Sequence, residues 1–263
     1  MNLGGRSALL TGATGGIGAA IARALAARGA TLLLTGRRTD VLEPLAAELG
    51  ARALACDLAD PAAVDRLADE AGDVDLLVAN AALPASGLLT SFTQEEIDRA
   101  LAVNLRAPMA LARRFVEPMI ARRSGHLVFV SSLSGKAASP GGSVYSATKF
   151  GIRGFARGLR QDLSPHGVGV SVVLPGFIRD AGMFHESGAK LPPFVGTSTA
   201  EDVAAGVVRA IERNRAEVEV APLGVRAGAI AGGMMPELVA RAQRRLGGDR
   251  ISERMSEGQR SKR

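Results

Sequence analysis

The chain holds no tryptophan, one tyrosine, one cysteine and three histidines in 263 residues. Each scarcity excludes something. The single cysteine, Cys56, cannot close an intrachain disulfide, which fits a reducing cytoplasm; Cys56 itself reads as a small buried hydrophobe. Three scattered histidines give no metal-ligand spacing, so no metal is expected. No run reaches the roughly 18 apolar residues of a membrane span. The opening MNLGGRSALL lacks a basic region followed by an apolar stretch, so no secretory signal is expected. Lysine is rare, with 4 against 28 arginines. The net charge of +6 is uneven: residues 222–263 hold nine Arg/Lys and four Asp/Glu, and the rest is nearly neutral. A nucleic-acid binder would spread a basic face through its fold, so no nucleic-acid partner is expected.

What is present describes a globular chain. Hydrophobic residues make up 47% and charged residues 22%, and the length suits one domain with a large core. Short apolar runs at 7–10, 31–35, 51–55, 75–79, 126–131 and 168–174 read as strands, with 217–221 as a seventh. Helical stretches separate them. One carries Ile17, Ile21 and Leu25 on a stripe; a long one spans 94–122; another spans 145–164. Near-continuous apolar strands alternating with helices predict one doubly wound α/β domain over 1–246, its parallel sheet of about seven strands covered on both faces.

Chemistry gathers where strands end. After the first strand, Thr11-Gly12-Ala13-Thr14-Gly15-Gly16-Ile17-Gly18 runs straight into a helix. Glycines let backbone approach a phosphate, and a helix N-terminus offers unpaired N–H groups to an anion, so this context points to a nucleotide. The second strand ends in Gly36-Arg37-Arg38. An acid there would bind the 2′-OH of NAD; a cation accommodates the 2′-phosphate of NADP, and Arg37 is the better placed. Asp57, beside Leu58, either touches the adenine or caps the helix near Pro61. Asn80 closes the fourth strand, and Asn104 is a polar amide mid-helix that needs a partner.

The stretch 132–149 holds Ser132, the only tyrosine, Tyr145, and Lys149. A spacing of four puts Tyr145 and Lys149 on one helix face. A free phenol has a pKa near ~10, and a neighbouring ammonium lowers it, which suits general acid–base work. Gly12, Asn80, Ser132 and Pro175 all fall at strand carboxyl ends, where ligands of such sheets bind.

Together these residues resemble the short-chain dehydrogenase/reductase family, over roughly 7–176. Thr11, Gly12, Gly16 and Gly18 fit its TGxxxGxG loop, and Ala79-Asn80-Ala81-Ala82 a relaxed NNAG motif. Asn104, Ser132, Tyr145 and Lys149 fit its catalytic tetrad in order and spacing. The resemblance implies a Rossmann-like oxidoreductase moving hydride between NADP(H) and a small carbonyl or alcohol. Tyr145 would be the general acid or base. Lys149 would lower its pKa and bind the ribose, Ser132 would position the substrate oxygen, and Asn104 would hold a water linking Lys149 to solvent. Cofactor contacts would come from Gly12, Thr14, Gly16, Ile17, Gly18, Arg37, Asp57, Leu58, Asn80, Tyr145, Lys149, Pro175 and Gly176. It also implies a homodimer or homotetramer. Two features depart from the pattern. The usual Thr near position 180 is absent, leaving Asp180 or a backbone group to hold the carboxamide. The usual C-terminal Asp-Gly-Gly turn is absent too, leaving a dimer through the helices of Asn104 and Tyr145.

The remainder concerns substrate. Residues 177–197 form a long loop with Phe177, Met183, Phe184, Leu191 and Phe194. It reads either as an apolar lid, implying an apolar substrate, or as side chains packing a loop down. Thr199 with Asp202 resembles a capping box. Residues 223–246 read as one amphipathic helix, apolar at Ile230, Met234, Met235, Leu238 and Val239 and then basic. Such a helix closes a pocket, makes a dimer contact or lies on a membrane surface. The tail 247–263 shows no periodicity and is expected to be disordered. Two rival functions stay open: a binding protein that senses NADP(H) without chemistry, and a membrane-surface lipid carbonyl reductase.

Overall fold

Alternation within the strands decides which residue faces which layer. In β1 (Ser7–Thr11), Leu9 points to one face of the sheet while Ala8 and Leu10 point to the other, and all three are fully buried. The computed structural model describes residues 1–192, 195–245 and 248–260. In chain order, β1 is followed by α1 (Gly16–Ala26), β2 (Thr31–Gly36), α2 (Thr39–Leu49), β3 (Arg52–Ala55), α3 (Pro61–Ala71) and β4 (Leu76–Ala79). Then come α4 (Gln94–Leu101), a π-helical turn (Ala102–Arg106), α5 (Ala107–Ala121), β5 (Gly125–Val130), α6 (Ser143–Leu163) and β6 (Val168–Pro175). The chain ends with α7 (Gly182–Ser187), α8 (Ala200–Glu212), β7 (Glu217–Val220), α9 (Leu223–Met234), α10 (Pro236–Arg245) and α11 (Gly248–Gln259).

All neighbouring strands pair in parallel, in the order β3-β2-β1-β4-β5-β6-β7. The order reverses between β1 and β4, so a crevice opens above their carboxyl ends. Leu9, Leu77 and Phe129 pack with Leu67, Leu111, Phe115 and Ile152 of α3, α5 and α6. Leu10, Val78 and Val128 pack on the other face with Ile21 and Leu25 of α1 and Val203 and Val207 of α8. The doubly wound α/β expectation of about seven strands is met, with strand limits within one or two residues.

Three expected elements differ. The stretch 94–122 is interrupted, because the π-turn inserts around Asn104. The stretch 223–246 breaks at Met235, whose φ is −132°, since the proline ring of Pro236 disfavours helical backbone in the residue before it. The tail expected to be disordered is helical over Gly248–Gln259: Met255 and Gln259, four apart, share a face, and Gln259 bonds the α7 backbone. Phe194, Leu246 and residues 261–263 lie outside the described residues. Thr199 and Asp202 form the expected capping box on α8. Among the described residues no helix is long and apolar enough to cross a membrane.

The exposed edge of the sheet is held by charge. Val218 and Val220 of β7 are buried, while Glu217 and Glu219 alternate to the other side. Glu217 pairs with Arg153 at 2.7 Å and Lys136 at 3.2 Å; Glu219 pairs with Lys136 and, at 2.7 Å, with Arg226. Burial raises both carboxyl pKa values, but the hydrogen bonds from Lys136, Arg153 and Arg226 outweigh it and hold them below 4.5. A depressed folded pKa adds stability above the unfolded value, lost as pH falls through the folded one. We therefore expect the urea midpoint to drop as pH falls below 4.5. Glu219→Gln should cost about 1–3 kcal/mol at pH 7 and flatten that acid limb. Equal wild-type midpoints at pH 7 and in the acid range would remove this network from the stability balance.

Candidate active site

The site begins with a turn that only glycine can make. β1 ends at Thr11, and Gly12 follows with φ +70°. A Cβ there would lie 2.7 Å from the Cα of Ala81, so both conformation and space exclude a side chain. A Cβ on Gly18 would sit 2.0 Å from the Gly12 carbonyl oxygen, which lets α1 start hard against the turn. Gly15 is the N-cap of α1 and makes no side-chain cap bond, so the first amides of the helix remain for an anion. The Asn80 Nδ2 group donates to the carbonyls of Thr11 and Gly12, both at 3.2 Å, while the backbone N–H groups of Asn80 and Ala81 donate to Thr11 Oγ1 at 3.1 Å. Asn80 therefore stitches the β4 end to the glycine turn.

Asn104 performs the same task one loop further. Its Oδ1 accepts from Leu83 N at 2.6 Å, and its Nδ2 donates to Leu83 O at 3.0 Å, with Thr148 Oγ1 at 3.4 Å. The amide completes a backbone-like pair with the loop after β4 and reaches α6, and it is buried. Its side chain is thus a positioning group, and it does not line the cavity.

Ser132 follows β5, and Tyr145 and Lys149 lie on α6. The Ser132 Oγ accepts from Ser134 N at 3.1 Å, which fixes the loop, and hydrogen-bonds the Tyr145 phenol. The neighbouring Ser131 hydroxyl donates to Lys149 O at 2.8 Å and ties the strand end to the helix. Lys149 Nζ donates to Val130 O at 3.1 Å and stands 5.6 Å from the centre of the Tyr145 ring. Burial pushes the Tyr145 phenol up to about 12, against the hydrogen bond from Ser132, and pulls Lys149 down to about 8. This reverses the expectation of a lowered phenol pKa: both groups sit where protein displaces water, and desolvation penalises each charge more than one partial neighbour helps.

These residues surround one cavity of about 1280 Å³. Gly12, Thr14, Gly16, Ile17, Gly18, Arg37, Asp57, Leu58, Asn80, Ser132, Tyr145, Lys149, Pro175 and Gly176 all line it; Asn104 and Asp180 do not. Arg38 lines it too, and its guanidinium donates to Thr14 O, bracing the glycine loop. Asp57 accepts from Ala59 N at 3.0 Å and pairs with Arg99 at 3.0 Å. The cap of α3 is Asp60, which accepts from Ala62 N, so the capping role considered for Asp57 belongs to its neighbour. Asp180 accepts from Ala200 N at 3.0 Å at the start of α8 and is absent from the cavity wall. Cys56 is buried, and burial pushes its thiol up to about 11, as an inert side chain requires.

Some contributors escaped the sequence reading. Ser131 acts through a buried hydroxyl at a strand end, where a polar residue closing an apolar run is the only signal. Met255 and Gln259 reach the cavity from a stretch without visible period.

Known proteins resemble the chain in sequence and fold. The family model described as short chain dehydrogenase matches residues 6–192. Nodulation protein G of Rhizobium sp. (strain N33) is 41% identical over 185 residues, covering 68% of this chain and 76% of its own. Ketoacyl reductase HetN of Nostoc sp. is 35% identical over 227 residues, 83% of this chain and 79% of its own. The solved short-chain dehydrogenase from Sphingobium yanoikuyae in complex with NADPH superposes with a TM-score of 0.77 at 29% identity, covering 89% of this chain and 95% of that one. With its seven-stranded parallel sheet and glycine turn, the chain belongs to the short-chain dehydrogenase family of oxidoreductases.

Proposed function

We propose that the protein is an NADP(H)-preferring carbonyl reductase or alcohol dehydrogenase acting on an apolar substrate, with Tyr145 as general acid or base. The observation that carries this reading is the meeting of Ser132, Tyr145 and Lys149 in one cavity with the glycine turn and Arg37. The residues fit a dinucleotide: Gly12, at φ +70° and pressed on Ala81, turns β1 into α1 with no side chain on the turn, and the uncapped start of α1 and two arginines suit phosphates. When bound, the nicotinamide supplies or accepts the hydride.

The chain's own residues do the rest. Gly12 and the first turn of α1 would hold the pyrophosphate. Arg37 would hold the 2′-phosphate, and Asp57 and Leu58 would border the adenine. Pro175 and Gly176, with Asn80, would bound the nicotinamide. Ser132 positions the substrate oxygen against the phenol, and Tyr145 Oη donates its proton to a carbonyl or takes one from an alcohol. Lys149 holds positive charge beside the phenolate that this leaves. Phe177, Met183, Phe184, Leu191 and Val225 give the remaining wall an apolar character, which favours an apolar body on the substrate. Exposed Leu101, Met109 and Phe150 on α4, α5 and α6 suit a contact between two copies of the chain.

Tyr145→Phe should bind NADPH within about threefold of wild type and lose turnover by about 10²–10⁴-fold; undiminished turnover sinks the assignment. Because the chain has no tryptophan, binding is read directly from nicotinamide fluorescence. NADPH should bind more tightly than NADH, and Arg37→Ala should weaken NADPH by about tenfold while leaving NADH unchanged. Equal binding of the two coenzymes by the wild type removes Arg37 from recognition.

The pH profile has a definite sign. Lys149 loses its charge as pH rises through about 8, while Tyr145, at about 12, keeps its proton. Carbonyl reduction, followed as kcat/KM for the free enzyme, should therefore fall above pH 8 with that limb absent in Lys149→Met. A wild-type profile flat to pH 9.5 (about 1.5 units beyond) would contradict a role for the ammonium.

A further inference from the structure

The helix α11 lies outside the segment that the family model matches, yet it closes the cavity. Its seat is α7. A Cβ on Gly258 would fall 2.4 Å from Ser187 O and 2.7 Å from Ser187 Cα, so the two backbones touch where only glycine fits. Beside it, Gln259 is 2% exposed and lines the cavity with Met255. Its Nε2 donates to Met183 O at 3.1 Å. Its Oε1 is buried and has no hydrogen-bond partner among the described residues.

That pairing fixes the orientation of the amide. The end bonded to Met183 O must be the donor, because a carbonyl cannot donate, so the free end is the acceptor. A buried acceptor without a partner is costly, and native proteins supply one. Besides Gln259, α7 and α11 give the cavity Met183, Phe184, Glu186 and Met255, with Phe184 packed edge-on against Phe177 at 5.1 Å between ring centres. A ligand that fills this end meets largely hydrophobic surface, the Glu186 carboxylate and the unpartnered Gln259 acceptor.

We propose that Gln259 is a specificity residue: its Oε1 accepts a hydrogen bond from an O–H or N–H group on the ligand that occupies the cavity beneath α7 and α11. The favoured source is a substrate with an apolar body and a hydroxyl or amide N–H apart from its reacting carbonyl. The carboxamide of the coenzyme presents the same donor chemistry. This rests on the reductase reading above. A site built to hydrogen-bond a donor rejects the analogue lacking it far more strongly than an apolar pocket discriminates shape.

The test uses the full chain as wild type, Gln259→Leu and Gly258→Ala, the last displacing α11 from Ser187 without touching the amide. The probes are NADPH, by fluorescence titration, and a matched pair of cyclic ketones, one plain and one hydroxylated. The wild type should prefer the hydroxylated ketone in kcat/KM. Both variants should lose at least about tenfold of that preference, with NADPH affinity within about threefold of wild type. If instead both variants weaken NADPH and treat the two ketones alike, the acceptor serves the coenzyme, and the hydrogen-bonding role stands with its source reassigned. Unchanged ketone preference together with unchanged NADPH affinity in Gln259→Leu overturns the proposal, as does retained preference in Gly258→Ala. Failure of the wild type to bind NADPH at all overturns the reductase reading instead.

Discussion

The structure depends on a reversal of backbone at Gly12. A left-handed residue pressed against Ala81 ends β1, aims α1 at the crevice and leaves the first amides of that helix uncapped. A tight turn of this kind is only as fixed as the groups that surround it. Asn80 supplies them, bonding both Thr11 and Gly12 carbonyls from the end of the adjacent strand. Because β1 and β4 are the neighbours between which the strand order reverses, the same contact that holds the turn also sets the width of the crevice. Phosphate binding and sheet topology are thus one constraint here.

A second amide extends the constraint to Tyr145 and Lys149. Asn104 sits in a π-turn, where one extra residue breaks the regular ladder and turns the side chain towards Leu83. Through Thr148 Oγ1, which donates to Tyr145 O at 2.8 Å, it reaches the backbone of α6. Ser131 then anchors the far side of that helix turn through Lys149 O. Tyr145 and Lys149 are held from two directions by buried polar groups. This is the support the proposed roles of Tyr145 and Lys149 would require if their geometry is to survive thermal motion.

The strands, the glycine turn and the Ser132, Tyr145 and Lys149 set were legible in the sequence because each has a local signal. Apolar runs mark buried parallel strands, and a spacing of four marks a helix face. The π-turn had no such signal, because its register depends on Asn104 finding Leu83, a contact twenty-one residues apart. Pro236 was visible, but a proline near an apolar stripe is easily read as the continuation of one helix. The helix α11 was missed for a related reason. Its sequence is polar, and its one informative glycine, Gly258, has meaning only against Ser187, which lies seventy-one positions earlier.

The electrostatics of the reacting pair were the least legible feature, and the reason is physical. Spacing along a helix reveals which charges are neighbours but not how much water each has lost. Lys149 is 3% exposed, and its ammonium is solvated by one carbonyl, Val130 O. Desolvation then moves the two groups in opposite directions, up for the phenol and down for the amine. At neutral pH the pair therefore rests as neutral phenol and ammonium, the state in which Tyr145 has a proton to give. Additional positive charge in the cavity would favour the phenolate and shift the pair towards accepting one. Under the proposed chemistry this resting inventory would favour donation to a carbonyl, and taking a proton from an alcohol would require the charge that an occupied cavity brings.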